Sequence, residues 1–244
     1  MIKKILKTVG IVLGGVFLLL ALVVGGYFLF RPRPPQAPES VAHLTEAEAY
    51  LEALVKYGTP PGISLLVVKE GDVVYSKGFG LADGPNQIPA SPESIYRVFS
   101  VTKVFTAFSI LQLYEQGRLD IDDRVADYLP FFDVVYPSAE SEVVTIRHLL
   151  NHSSGVPDNM PEVIGWMHTE AEDDPRLDQV ACLAERFPDY ATLIYEPGDH
   201  AQYTNVGYML LGAIVEVVSG QTYEDYVVEH IFQPLGMQQS DFVY

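Results

Sequence analysis

Two short patterns put reactive residue types at spacings where they can work together. Ser100-Val101-Thr102-Lys103 opens an apolar run, with a hydroxyl and an amine three positions apart. On a helix, residues i and i+3 share a face, so the lysine can reach the serine oxygen. A serine in the first turn also sits among free backbone N–H groups at the positive end of the helix dipole. An alkylammonium cannot remove a proton, so such a lysine activates serine only once desolvation or nearby positive potential has taken its charge. The second pattern, Tyr203-Thr204-Asn205, stands 103 residues after Ser100, between a Pro197-Gly198 turn and the next apolar run. A phenol beside an ammonium can relay a proton, and an asparagine amide can bind a substrate amide and a lysine at once. Singly, neither pattern is specific: SxxK more often marks an ordinary capped helix.

The elements that must position these residues can be read from periodicity. Phe99 to Gln116 reads as a helix with Gly117 as its stop, which places Ser100 in the opening turn. Tyr208, Leu211, Ile214, Val215 and Val218 mark one apolar face of a helix ended by Gly220, and Thr222 to Ile231 forms another. Ile146 to His152 reads as a short helix closed by Ser153-Ser154-Gly155. Earlier, Thr45-Glu46-Ala47-Glu48 has the form of a capping box, followed by Leu51, Leu54 and Val55 before Gly58. Ile63 to Lys69 and Val73 to Phe79 are β-branched and aromatic runs on either side of Glu70-Gly71-Asp72, the signature of a hairpin. Strands gathered early and helices through the middle predict an α/β (α+β) structure, with the hairpin at one side of an antiparallel sheet and an all-helical region from Ser100 to Gly220.

Other residue groups do not lead to a site. His148 and His152 are four apart on the predicted helix, a zinc-compatible spacing, but no HExxH glutamate and no third ligand accompany them, so no metal is expected. Phe99-Ser100-Val101 lacks the flanking glycines of a GxSxG elbow, which argues against a Ser-His-Asp hydrolase. Glu170, Glu172, Asp173 and Asp174 lie in an irregular acidic stretch from 157 to 180, read as a solvated loop. Trp166 and Met167 are read as apolar anchors under it.

Taken together, the chain resembles the serine beta-lactamase-related, penicillin-recognising hydrolases, nearest in pattern to class C beta-lactamases, D-alanyl-D-alanine carboxypeptidases and related esterases. The resemblance covers about residues 60 to 244. It is carried by ISLLVVKEGDVVYSKGFG, VFSVTKVFTAFSILQLYEQGRLDIDDRVADYLP, TIRHLLNHSSGVPD and YEPGDHAQYTNVGYMLLGAIVEVVSG followed by PLGM, in that order. It implies a beta-lactamase/transpeptidase-like sheet flanked by helices, with Ser100 the acylated nucleophile, Lys103 its partner base, Tyr203 the proton relay and Asn205 the substrate-orienting amide. It also implies covalent acyl-enzyme chemistry on a beta-lactam, a D-Ala peptide or an ester, without cofactor or metal. Such relatives carry a third element on a late strand, Lys or His followed by Thr or Ser and Gly. None follows Asn205 in the 39 residues that remain, and neither Ser219-Gly220 nor His152-Ser153-Ser154-Gly155 is in the right place. The reading is therefore of a hydrolase domain from 41 to 244 that is incomplete at its C-terminal end. A truncated, noncatalytic copy with at most a binding role is the alternative.

Composition sets the remaining limits. With 48% apolar and 19% charged residues in 244, the chain is globular. Its 15 basic and 32 acidic groups give a net charge of −17, which excludes a nucleic-acid binder relying on phosphate neutralisation. The resemblance, not the charge, implies a small-molecule or peptide substrate as the partner. The single Cys182 has no intramolecular disulfide partner and leaves the compartment open. Thr8 to Phe30 is uncharged and apolar over 23 residues, roughly 35 Å as a helix, enough to span a bilayer. It exceeds the apolar core of a signal peptide, and Arg31-Pro32-Arg33-Pro34-Pro35 occupies the place of a cleavage site, so it reads as an uncleaved anchor within residues 1 to 30. A proline-rich linker, 31 to 40, follows. The positive-inside bias is slight, and resemblance to enzymes of cell-wall and extracellular substrates places the domain outside the cytoplasm.

Overall fold

The alternating β-branched residues on either side of Glu70-Gly71 pair as a hairpin, β1 (Gly62–Lys69) against β2 (Asp72–Asp83). Lys69 faces Asp72, so the turn holds two residues, and both take positive φ: 56° at Glu70 and 90° at Gly71. A turn of that handedness matches the twist of the flanking strands. Strand β2 runs beyond Phe79 and pairs through Leu81 with a short third strand, β3 (Ile88–Pro89), giving an antiparallel sheet in the order β1-β2-β3. This computed structural model describes residues 17–20, 22, 33–158 and 179–242, and the chain divides into two units, Met1–Tyr96 and Arg97–Tyr244.

In the first unit, helix α1 (Leu44–Tyr57) packs on β1 and β2. Its Glu48 carboxylate accepts hydrogen bonds from the Tyr75 hydroxyl and, at 3.0 Å, from Lys77 Nζ. The Thr45 capping box does not form. The N-cap is His43, with no side-chain bond, and the Glu46 carboxylate takes the Ala42 N–H at 3.0 Å. The helix begins at Leu44, with Thr45 inside it and a first-turn carboxylate near its positive end. At the other end Gly58, at φ 93°, donates to Leu54 O and Val55 O and closes the helix as expected.

The second unit is helical. A 3₁₀ turn (Phe99–Val101) leads into α2 (Thr102–Glu115), then α3 (Val125–Tyr128), α4 (Ile146–Leu150), α5 (Gln179–Arg186) with a second 3₁₀ turn after it (Phe187–Tyr190), α6 (Asn205–Ser219) and α7 (Tyr223–Val227). The predicted helix from Thr222 to Ile231 is α7 capped by Thr222, followed by a π turn over Val228–Phe232. Helix α6 is the axis. It contacts α2, α3, α4, α5 and α7, and Val206, Gly207 and all six residues from Leu210 to Val215 are buried. The apolar stripe read from the sequence is thus only part of what is covered, as expected for a helix enclosed on several sides. Ile110 and Leu113 of α2 and Ile146 and Leu149 of α4 are fully buried in the same core.

Of the apolar N-terminal stretch, Phe17, Leu18, Leu19, Leu20 and Leu22 are helical with exposed side chains. The rest of Thr8 to Phe30 lies outside the described residues, as do Trp166, Met167 and the acidic cluster from Glu170 to Asp174. Among the described residues no helix is long and apolar enough to cross a membrane.

Candidate active site

Phe99 takes φ 44°, a left-handed conformation that costs a bulky residue on the order of 1–3 kcal/mol. The strained step delivers Ser100 into the 3₁₀ turn ahead of α2, not into the first α-turn that periodicity predicted. Ser100 is exposed, and Lys103, the second residue of α2, is half-buried. Across from them, the loop entering α6 presents Tyr203. Thr204 caps the helix by accepting the Gly207 N–H at 3.3 Å, and Asn205 is the first helical residue.

These four residues meet. The Tyr203 hydroxyl donates to Ser100 Oγ at 2.8 Å, and Lys103 Nζ donates to Asn205 Oδ1 at 2.7 Å. Nζ lies 4.7 Å from the centre of the Tyr203 ring and 5.6 Å from that of Tyr208, within cation–π range of both. Sequence spacing suggested that the lysine reaches the serine directly. The structure turns the amine toward Asn205 and Tyr203 instead, so that the link to Ser100 runs through the phenol. Burial pushes the Tyr203 phenol up, but its hydrogen bonds with Lys103 and Ser100 and the lysine's charge outweigh that, leaving it below the ordinary tyrosine range.

Two residues that the sequence reading left without a role complete the arrangement. Helix α4 ends at Leu150, and His152 takes φ 59° beyond it, so His148 and His152 do not share a helical face. Each ring has its own partner. His148 Nδ1 accepts the Thr145 N–H at 3.2 Å, while His152 Nδ1 accepts the Thr204 N–H at 3.2 Å. The His152 ring packs on Tyr203, with centroids 4.6 Å apart, and on Tyr208 at 4.8 Å. Its backbone is fixed as well: His152 O accepts from Tyr195 Oη at 3.1 Å and from Gln202 N at 2.8 Å. Gly155 ends this turn at φ 77°, where a Cβ would lie 2.4 Å from Tyr195 O, so no other residue fits. The second residue is Asp158. Its Oδ2 accepts from Asn205 Nδ2 at 2.9 Å, and its Oδ1 accepts from Val206 N at 3.4 Å. It lies at the head of the segment read as a solvated acidic loop, and its only sequence signal was its place in HSSGVPD.

Burial, and secondarily the Lys103 charge, hold His152 below its ordinary value of 6.5, against a raising influence from Asp158; burial does the same at His148. The folded state therefore disfavours the imidazolium, and the unfolded chain binds more protons as pH falls. The stabilisation is fully present above about pH 6.5 and is lost as pH falls through the folded values. Urea unfolding midpoints are expected to decline from pH 7 to pH 5.5, and His152→Gln should flatten part of that slope. An unchanged slope would remove His152 as a source of the effect.

Residues 47–243 match the beta-lactamase family. Protein flp of Staphylococcus aureus (strain MW2) is 33% identical over 199 residues, covering 81% of this chain and 38% of its own length. A penicillin-binding protein of Bacillus subtilis (strain 168) is 35% identical over 183 residues, covering 72% and 37%. Among solved structures, the octameric penicillin-binding protein homologue from Pyrococcus abyssi superposes with a TM-score of 0.67 at 36% identity, over 80% of this chain and 43% of that one. The chain thus spans under two fifths of the length of these curated relatives.

Proposed function

This chain belongs to the beta-lactamase family of serine hydrolases and penicillin-binding proteins, and from that premise we propose that it hydrolyses an acyl substrate through a covalent intermediate on Ser100. The observation that carries the reading is the 2.8 Å contact between Tyr203 Oη and Ser100 Oγ, with Lys103 held against the same ring. The amine form of Lys103 starts the cycle, since only it can take a proton. The phenol first swings its O–H from Ser100 to the Lys103 amine, so that its oxygen accepts from the serine hydroxyl; as Ser100 Oγ attacks the carbonyl carbon, its proton then passes to the Tyr203 oxygen while the phenol's own proton moves to Lys103. The tetrahedral intermediate collapses, the acyl–leaving-group bond breaks, and the leaving amine or alcohol takes a proton back along the same path. Water then releases the acyl group from Ser100. Asn205 holds Lys103 and offers its amide to the substrate. Beta-lactams, D-Ala peptides and esters all present the carbonyl that this sequence requires.

Incubating the protein with benzylpenicillin, and separately with p-nitrophenyl acetate, tests the reading by mass spectrometry. The expected result is a mass increase by one acyl group, located on the peptide containing Ser100. Labelling elsewhere, or none with either compound, would sink it and leave at most a binding role.

The apolar, charge-free stretch from Thr8 to Phe30 supports a further part of the proposal: a single membrane anchor that holds the domain outside the cytoplasm. Protease added to intact spheroplasts is expected to remove the domain, and full protection would reverse the topology.

A further inference from the structure

We propose that Asp158 is a positioning residue of this site, acting through the side-chain amide of Asn205 to fix which end of that amide Lys103 meets. The inference rests on the hydrolase reading for its consequence and on the hydrogen bonds alone for its geometry. An asparagine amide offers a carbonyl at one end and an amino group at the other, and rotation by half a turn exchanges them. An ionised carboxylate can only accept. Asp158 Oδ2, at 2.9 Å from Asn205, therefore requires the amino end to face it, which turns Oδ1 toward Lys103 Nζ at 2.7 Å. The other carboxylate oxygen accepts from Val206 N, the next backbone donor of α6, and so is itself held to the helix end that carries Asn205.

The orientation matters because it decides what Lys103 can do. Facing a carbonyl, the lysine spends one N–H on Asn205, and its lone pair, once the charge is lost, stays available to the Tyr203 oxygen. Facing an amino group, a neutral amine would accept from the amide, and the lone pair needed for proton transfer would be occupied. Asp158→Asn is the matching lesion. It keeps the size of the side chain and an oxygen for Val206 N, but places an amino group opposite Asn205 and drives the amide to turn over.

The test uses the full chain. With a fluorescent penicillin, Asp158→Asn is expected to slow Ser100 acylation by roughly 10- to 100-fold, the effect of losing one charge-assisted hydrogen bond. Its thermal unfolding midpoint should stay close to that of the unsubstituted protein. In an Asn205→Ala background the same substitution should change the rate by less than about twofold, since residues acting through one another are not additive. A readout independent of turnover is the side-chain amide cross-peak of Asn205 in a ¹⁵N-labelled sample, identified by its loss in Asn205→Ala. It is expected to shift in Asp158→Asn and in Asp158→Ala. An unmoved cross-peak overturns the proposal whatever the labelling shows, as does a full-size rate loss in the Asn205→Ala background. If the cross-peak shifts while the unsubstituted protein takes no label, the hydrolase reading fails and the positioning of Asn205 stands.

Discussion

Replacing Ser100 by alanine is expected to end covalent labelling and to lower ester and beta-lactam turnover by at least about 1,000-fold, the scale on which loss of a nucleophile acts in serine hydrolases. The expectation follows from where the hydroxyl sits. Its oxygen accepts from the Tyr203 phenol, and the chain adopts an unfavourable backbone angle at Phe99 to present it in the 3₁₀ turn ahead of α2. The substitution removes one exposed oxygen and one hydrogen bond from a surface position, so stability should change by no more than about 0.5 kcal/mol. Activity and stability are therefore separable at this position. The measurement is a pair of assays on one preparation, turnover and urea unfolding. Residual turnover within tenfold of the unsubstituted protein would assign the nucleophile to another residue.

The parts of the molecule that were legible in the sequence are those fixed by local physics. The hairpin follows from two β-branched runs around a turn that needs positive φ, and α2 and α6 from apolar periodicity ended by glycine. The four reactive residues were legible by type and by resemblance, and they do converge. Their order was not. Which group touches Ser100 depends on how the loop before α6 is laid against α2, a contact between residues 103 positions apart that no local pattern encodes. His152 was read as helical because nothing in LLNHSSG announces positive φ at a histidine. The reason for it lies at a distance, in Thr204, Gln202 and Tyr195. Asp158 was absorbed into an acidic stretch for the same cause: a carboxylate that meets a half-buried amide and one that faces water look alike until the partner is placed. Thr45 shows the converse, a local pattern that fits a capping box but stands inside a helix that begins one residue earlier, where the Glu46 carboxylate instead bonds the chain ahead of the N-cap.

Lys103 provides the sharpest distinction between a base and a mere positive charge. Lys103→Ala is expected to slow acylation by about 100- to 10,000-fold, the range for loss of a general base. Part of that loss acts on the phenol. Burial pushes Tyr203 up, and the hydrogen bond and charge of Lys103 do much of the work that brings it back below the ordinary range. Without the lysine only the Ser100 hydrogen bond is left to oppose burial, so the phenol shifts upward. Tyr203→Phe alone should therefore cost less than Lys103→Ala, and the double variant should acylate at about the rate of the lysine variant, because both residues serve one proton path. Lys103→Arg separates the two contributions. Guanidinium keeps a positive charge near the Tyr203 and Tyr208 rings, but it cannot be deprotonated in a protein and so cannot take the proton. If proton acceptance is the role, Lys103→Arg falls as far as Lys103→Ala in a fluorescent-penicillin assay across pH 6 to 9. An arginine variant that keeps a tenth or more of the original rate would show that the site needs only the charge at this position, and the base would then have to be found elsewhere, with the Tyr203 phenolate the first group to examine.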